Sequence, residues 1–476
     1  MTPDQFRSAG HILIDWIADY REGLEQLPVR GPIEPGQVKG AFDTELPSKT
    51  ADFGELISLL DTVVVPGITQ VQHPMHYGWF PSNASLSSVL GDIAASGLGS
   101  LGISWESSPA LTEVEEVVCD WMRQAVGLSD VWSSTFHDTA STSCLVALIV
   151  AREQATGNSY AGGGLSTALE APVVYCTDQA HSSVRKAALL SGFGGDNVRV
   201  VDHDRVTFAM DIDSLRRHIE SDRSVGRRPA AIVATIGTTG TTAIDPLTDI
   251  VELGRKHDIW VHVDAAMAGS AMILPECRPL WNGVEQADSI TWNPHKWLGT
   301  VLDTSVFHIR DVSLLIQVMS TNPTYLWSKA DGEVTQFRDW GIPLGRRFRS
   351  LKALFHLRID GVEAIRTRIR RDLANAEWLA AEVTSTSDWE VVAPVPLQTV
   401  CVIHTPPHLA GSGSDNLDEL NNHTRNWVDA INSSGRAYLT PSQLDGRWVA
   451  RVSIGVESTE RHHVEELWDL MQATVI

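Results

Sequence analysis

The sequence predicts an α/β protein: a mostly parallel sheet with helices on both faces, a smaller C-terminal α/β domain and an N-terminal helical arm. Three observations carry this. Through the middle of the chain, short and nearly continuous apolar runs alternate with helical segments, a pattern that needs a sheet buried on both faces. Before it, helical stretches are separated by long Pro- and Gly-bearing connectors such as LPVRGPIEPGQVKG. After it, strand-like and helix-like segments continue in a different rhythm.

Residues 1–85 hold two segments of helical periodicity, Ile12–Leu24 and Phe53–Val65, and read as an arm that packs on something else. Residues 86–375 form the large domain. Its runs APVVYCT, NVRVVDH, AAIVATIG, DIWVHVDAA, ADSITWN and TSVFHIR begin at residues 171, 197, 230, 258, 287 and 304. Asp245 and Pro246 are expected to open one intervening helix as cap and first residue. Residues 376–476 form the small domain. EVVAPVPLQTVCVIHTP and RWVARVSIGV read as strands, HLAGSGSDN as a loop, and TERHHVEELWDLMQATV as a closing helix with Val464, Leu467, Leu470 and Met471 on one side.

Length and charge narrow the function. At 476 residues the chain exceeds the ~150 residues of one domain, so two or three are expected. The net charge of −22 argues against a nucleic-acid partner, because no basic excess exists to displace phosphate counterions. No run approaches ~18 uncharged apolar residues, so no membrane helix is expected. The first residues lack a basic n-region and read as an amphipathic helix instead of a signal peptide. Cys119, Cys144, Cys176, Cys277 and Cys401 are odd in number and contain no CxxC, so neither a disulfide framework nor zinc is suggested. A cytoplasmic enzyme is the expectation.

Several patterns mislead. Gly97, Gly99 and Gly102 spell GxGxxG, but a helix precedes them and a proline follows, so they are read as close backbone packing. His73 and His76 lack a third ligand, and His462 and His463 are expected to be solvated; no metal site is predicted.

Four features fall at strand ends or helix starts, where open α/β sheets bind ligands. Lys296 follows an apolar strand within NPHKW; a desolvated lysine amine can attack a carbonyl and form a Schiff base. Asp264 ends the apolar run of DIWVHVDAA, where a carboxylate is costly unless paired, and a protonated ring nitrogen is one partner. His181 sits at another strand-to-helix junction and could stack on a ring or orient a carboxylate. Thr139, Ser141, Thr142 and Ser143 open an apolar helix without a basic residue, a ready phosphate seat. Taken singly, each has a plain alternative: a surface lysine, a turn cap, a capping histidine, an ordinary N-cap. Together they ask for one ligand with an aldehyde, a basic ring nitrogen, a flat face and a phosphate. Pyridoxal 5′-phosphate has all four.

With those residues in view, the sequence resembles the group II pyridoxal-phosphate decarboxylases, and within them the aromatic-L-amino-acid decarboxylases. The resemblance runs through FPSNASLSSVLGDI, GISWESSPALTEVE, DQAHSSVRKA, ATIGTTGTTAIDPL, NGVEQADSITWNPHKWL and WGIPLGRRFRSLKALF. It implies the fold-type-I architecture of PLP-dependent transferases and a homodimer with shared active sites and no membrane partner. It implies that Lys296 holds the cofactor, that Asp264 pairs with its ring nitrogen, and that Ala266 and His181 lie on opposite faces of the ring. Thr139, Ala140 and Ser141 would bind phosphate, with Asn293 and His295 nearby, and Thr239 would reach the phenolic oxygen region or His181. Trp79, Phe80, Leu101 and Ile103 would wall the substrate's side chain, the last two from the partner subunit. Tyr325, in a PxYL context, would return a proton to Cα. Relatives with phenylalanine there make aldehydes, so the expected reaction is decarboxylation of an aromatic L-amino acid to its amine. The phosphate loop departs from the family pattern: the animal members read close to GSASEA, and here DTASTS puts Asp138 at the glycine.

Overall fold

The computed structural model describes residues 1–42, 45–164, 170–321, 330–409 and 416–475. The chain divides into two compact units. The larger comprises Ser82–Glu377 and Val392–Val400; the other comprises Met1–Pro81, Trp378–Val391 and Cys401–Ile476.

In the larger unit, the described strands are β1 (Ser133–His137), β2 (Pro172–Thr177), β3 (Val198–Val201), β4 (Arg228–Thr235), β5 (Trp260–Asp264), β6 (Ser289–Trp292) and β7 (Ser305–Ile309). They form one sheet in the order β1-β7-β6-β5-β4-β2-β3. From β6 to β3 the neighbours are parallel, whereas β7 runs antiparallel to both β6 and β1. Six of the strands lie on the apolar runs. The short, hydroxyl-rich SSTFH of β1 has no such signature, yet it pairs with β7 from Ser133↔Ile309 to His137↔Ser305.

The helices of this unit include α1 (Leu86–Leu98), α2 (Pro109–Ala125), α3 (Ala140–Thr156), α4 (Ser182–Leu190), α5 (Leu247–His257) and α6 (Ser350–Ile359). Val146, Ala147, Leu148, Val150 and Ala151 of α3 are fully buried, because this helix is apolar nearly all round and packs within the main core. Helix α1 lies close on α6: a Cβ at Gly91 would come within 2.4 Å of the Leu351 carbonyl oxygen.

Two local expectations need correction. Asp245 does not cap α5, which starts at Leu247 after Pro246. Its carboxylate turns inward and accepts the N–H groups of Thr235 (2.7 Å) and Met210 (2.8 Å), and burial pushes it up to about 6. Of the three glycines, Gly102 alone meets close packing, with Arg346 O 3.0 Å from a built Cβ; Gly99 instead ends α1 at φ +60°, and Gly97 faces open space.

The other unit carries β8 (Trp389–Val391), all but the first two residues of β9 (Thr399–His404), β10 (Thr440–Leu444) and β11 (Arg447–Ser453), in the order β10-β11-β9-β8. The closing helix spans Arg461–Ala473 and buries Val464, Leu467, Leu470 and Met471. His463 is buried there too and is not solvated: its Nδ1 accepts the Glu460 N–H at 2.9 Å and completes the helix cap. The first helix, Pro3–Glu22, has the Thr2/Gln5 capping box but leaves Phe6 and Ile12 exposed. Among the described residues no helix is long and apolar enough to cross a membrane, and all five cysteines are buried.

Candidate active site

The parallel strands end together, and chemistry-bearing residues collect at their carboxyl edge. Asp264 is the last residue of β5, paired in register with Thr235 of β4 and Thr291 of β6. Its backbone is pinned, since Ile236 N–H donates to its carbonyl at 2.9 Å. Its side chain is buried; Oδ1 accepts the Ala266 N–H at 3.0 Å, and among the described residues no group bonds the second oxygen. A lone carboxylate at the floor of a strand edge is ready for a cationic donor.

Lys296 lies four residues beyond β6 in a tightly bonded turn. Its N–H donates to Asn293 O (3.0 Å), its carbonyl accepts the Asn83 side-chain amide (3.1 Å), and Gly299 N–H closes on Pro294 O (3.1 Å). The neighbouring Trp297 is fully buried and donates to Asp372 at 2.9 Å, which fixes the turn from behind. Lys296 itself is half-buried.

His181 precedes α4 as its N-cap, and its Nδ1 accepts the Ser183 N–H at 3.2 Å. Loss of hydration pushes the imidazole below its ordinary value; the Asp264 charge pulls it up and the Lys296 charge pushes it further down. His181, Asp264 and Lys296 therefore form one electrostatic group, and the imidazole keeps an edge open to solvent.

The start of α3 adjoins the same edge. His137 Nδ1 meets Ser143 Oγ at 3.0 Å, Ser143 Oγ lies 3.5 Å from Ser305 Oγ, and Ser305 Oγ lies 3.4 Å from Thr291 Oγ1. The charge of Asp264 also helps to raise the buried Cys144 thiol of α3, after burial itself. Thr139 is the N-cap, its side chain makes no capping bond, and Thr142 and Ser143 both return their N–H groups to its carbonyl. Ser141 is exposed and Ala140 buried.

Sequence reasoning missed a further set. Thr177 Oγ1, Thr235 Oγ1 and Asn293 Oδ1 are buried without a hydrogen-bond partner, at the ends of β2 and β4 and just after β6. Asn293 had been singled out, but the threonines had not. The signal was available, since the runs APVVYCT and AAIVAT both finish on a threonine at the ligand-binding edge.

The remaining expected residues differ in burial and in partners. His295 turns its Nδ1 to the backbone of Thr304, 2.7 Å from the carbonyl, and is pushed down to about 4 by burial and then by Lys296. Thr239 lies exposed in a turn, while Thr238 beside it is buried against Thr241. Ala266 is half-buried next to Asp264. Leu101 is exposed and Ile103 half-buried. Trp79 and Phe80 belong to the other unit; Trp79 has φ +49°, and the Arg451 guanidinium lies 4.5 Å over the Phe80 ring. Tyr325 lies outside the described residues. A cavity of about 1170 Å³ lined by Glu113, Glu116, Glu333 and Trp340 holds none of these groups. Arg346, Arg347 and Arg349, close together in the sequence, are each paired with an acid: Glu115 (2.6 Å), Asp92 (2.9 Å) and Asp303 (2.9 Å).

Comparison with known proteins decides the family. Residues 35–404 match the pyridoxal-dependent decarboxylase conserved domain. The chain belongs to the pyridoxal-dependent decarboxylase family. It is 37% identical to tryptophan decarboxylase 2 of Oryza sativa subsp. japonica, over 99% of this chain and 95% of that protein. It is 36% identical to phenylacetaldehyde synthase of Arabidopsis thaliana, over 99% of this chain and 96% of that one. Among solved structures, that of Oryza sativa TDC with PLP and tryptamine superposes with a TM-score of 0.96 at 34% identity, covering 100% of this chain and 98% of that one. The fold is accordingly that of the PLP-dependent decarboxylases.

The residues of this decarboxylase fit its cofactor. An amine, a buried carboxylate with an open oxygen, an imidazole with an open edge and a helix start suit an aldehyde, a pyridinium, a ring face and a phosphate. The orphaned Thr177, Thr235 and Asn293 oxygens supply polar atoms awaiting partners along the same edge.

Proposed function

We propose that this enzyme decarboxylates an aromatic L-amino acid to the corresponding amine and CO2. What supports the reading is the electrostatic grouping of Lys296, Asp264 and His181 at one strand edge, within a family defined by pyridoxal-dependent decarboxylation. Relatives named for tryptophan and tyrosine decarboxylation support the aromatic class.

Bound pyridoxal phosphate supplies an electron sink for the pair released when the Cα–carboxylate bond breaks. Lys296 Nζ would hold the aldehyde carbon and yield it to the substrate's amine. Asp264 would keep a proton on the ring nitrogen through its open oxygen. His181 would cover one ring face and meet the substrate carboxylate, with Ala266 against the other face. Thr139, Ala140 and Ser141 would seat the phosphate, with Asn293 and His295 nearby and Thr239 toward the phenolic oxygen or His181. Trp79, Phe80, Leu101 and Ile103 would wall the side chain; with no basic residue in those stretches, an aromatic ring suits them better than a carboxylate. Tyr325 would deliver the proton to Cα.

We also propose a homodimer in the cytoplasm. Leu86, Leu90 and Ile93 project exposed from α1 at helical spacing, an apolar stripe suited to a second copy.

The deciding experiment offers the cofactor-loaded enzyme a panel of aromatic and acidic L-amino acids and reads products by mass spectrometry. Amine from aromatic substrates supports the proposal. Aldehyde with ammonia would transfer the enzyme to the synthases, and amine from acidic substrates alone would refute the aromatic pocket.

A further inference from the structure

A carboxylate sits just ahead of α3. Asp138 Oδ1 accepts the Thr139 N–H at 2.7 Å, one residue before the helix begins. Among the described residues this is the one hydrogen bond of Asp138, and no cation lies within ion-pair distance of it. The contrast with nearby acids is plain, since Glu115 and Asp303 are each held by an arginine. His137, next in the chain, supplies no charge: burial pushes it down to about 4, and its Nε2 meets Trp340 O at 3.0 Å. Asp138 is half-buried, so solvent does not fully screen it.

A helix N-terminus stabilises one nearby anion through its unbonded N–H groups and dipole. With a carboxylate beside it, an incoming phosphate dianion shares that positive end with a like charge, and among the described residues no cation pairs with Asp138 to offset the repulsion.

We propose that Asp138 sets how tightly this enzyme holds pyridoxal phosphate: it occupies the Thr139 N–H just ahead of α3 in the cofactor-free protein and opposes the phosphate by charge. The proposal rests on the reading of the α3 start as the phosphate seat. Its consequence is an enzyme whose cofactor-free form is stabilised at the expense of cofactor affinity.

The test titrates cofactor-free protein with pyridoxal phosphate and, separately, with unphosphorylated pyridoxal, following the absorbance of the bound form. Asp138→Asn keeps the size and an acceptor oxygen but removes the charge. It is expected to tighten pyridoxal phosphate about threefold to tenfold, leave pyridoxal unchanged and lower the melting temperature of the cofactor-free protein. Ser141→Glu, which adds a charge on the exposed second residue of α3, is expected to weaken pyridoxal phosphate selectively. Unchanged phosphate affinity in Asp138→Asn, or equal tightening of both ligands, with Ser141→Glu still weakening the phosphate form, would overturn the role of Asp138 alone. No effect of Ser141→Glu would overturn the seat and the proposal with it.

Discussion

The two ends of the proposed cofactor cradle are built differently. At the ring end, Asp264 and Asn293 are buried and backbone-pinned, and each carries an oxygen with no partner among the described residues. At the proposed phosphate end, the α3 start is partly exposed, and the N–H of Thr139 just before it is already taken by Asp138. One end is preorganised, its desolvation cost met by the fold before any ligand arrives; the other, on the proposal above, must accept one anion beside another. If the proposed site is right, the difference teaches that chemistry and affinity are set by separate parts of one sheet edge. Substitutions at β5 and β6 should strike turnover, and substitutions at α3 should strike cofactor retention.

The largest expected effect is that of Lys296→Ala, which should abolish both the visible absorbance of the bound cofactor and turnover; a fully active variant would remove the ring end from the account. Asp264→Ala should follow, lowering kcat by at least about 10² to 10³ while the cofactor still binds. Equal losses of cofactor and kcat there would erase the distinction between the two ends. Glu115→Ala probes the support beneath the phosphate end. Glu115 and Arg346 form a buried pair, and Arg346 also donates to Phe136 O (3.0 Å) of β1, the strand that leads into α3. Leaving that guanidinium unpaired should cost about 3–5 kcal/mol of stability, read as a lower urea midpoint. The smallest change in rate but the clearest change in product belongs to Tyr325→Phe, expected to divert product from amine toward aldehyde. Unchanged amine output would exclude Tyr325 as the proton donor.

Much of this was legible before any coordinates. Lys296, Asp264 and His181 each follow an apolar run, and strand ends in a parallel sheet share one edge, so their convergence follows from topology. What escaped has physical reasons. Strand β1 is short and rich in hydroxyls, and pairing with β7 supplies what its composition lacks. Asp245 has the sequence of a helix cap, but two backbone N–H groups from Thr235 and Met210, remote in sequence, claim it. His463 sits in a polar stretch, yet its side chain closes the cap of its own helix and is buried. Thr177 and Thr235 looked like ordinary strand residues because an unpaired hydroxyl is invisible until its neighbours are known. In each case a long-range partner overrode a local pattern.

The most direct test of the central assignment is chemical capture of the cofactor. The loaded enzyme would be reduced with borohydride, digested and mapped by mass spectrometry. A phosphopyridoxyl group is expected on the peptide that carries Lys296 and on no other. A label on a different lysine would contradict it.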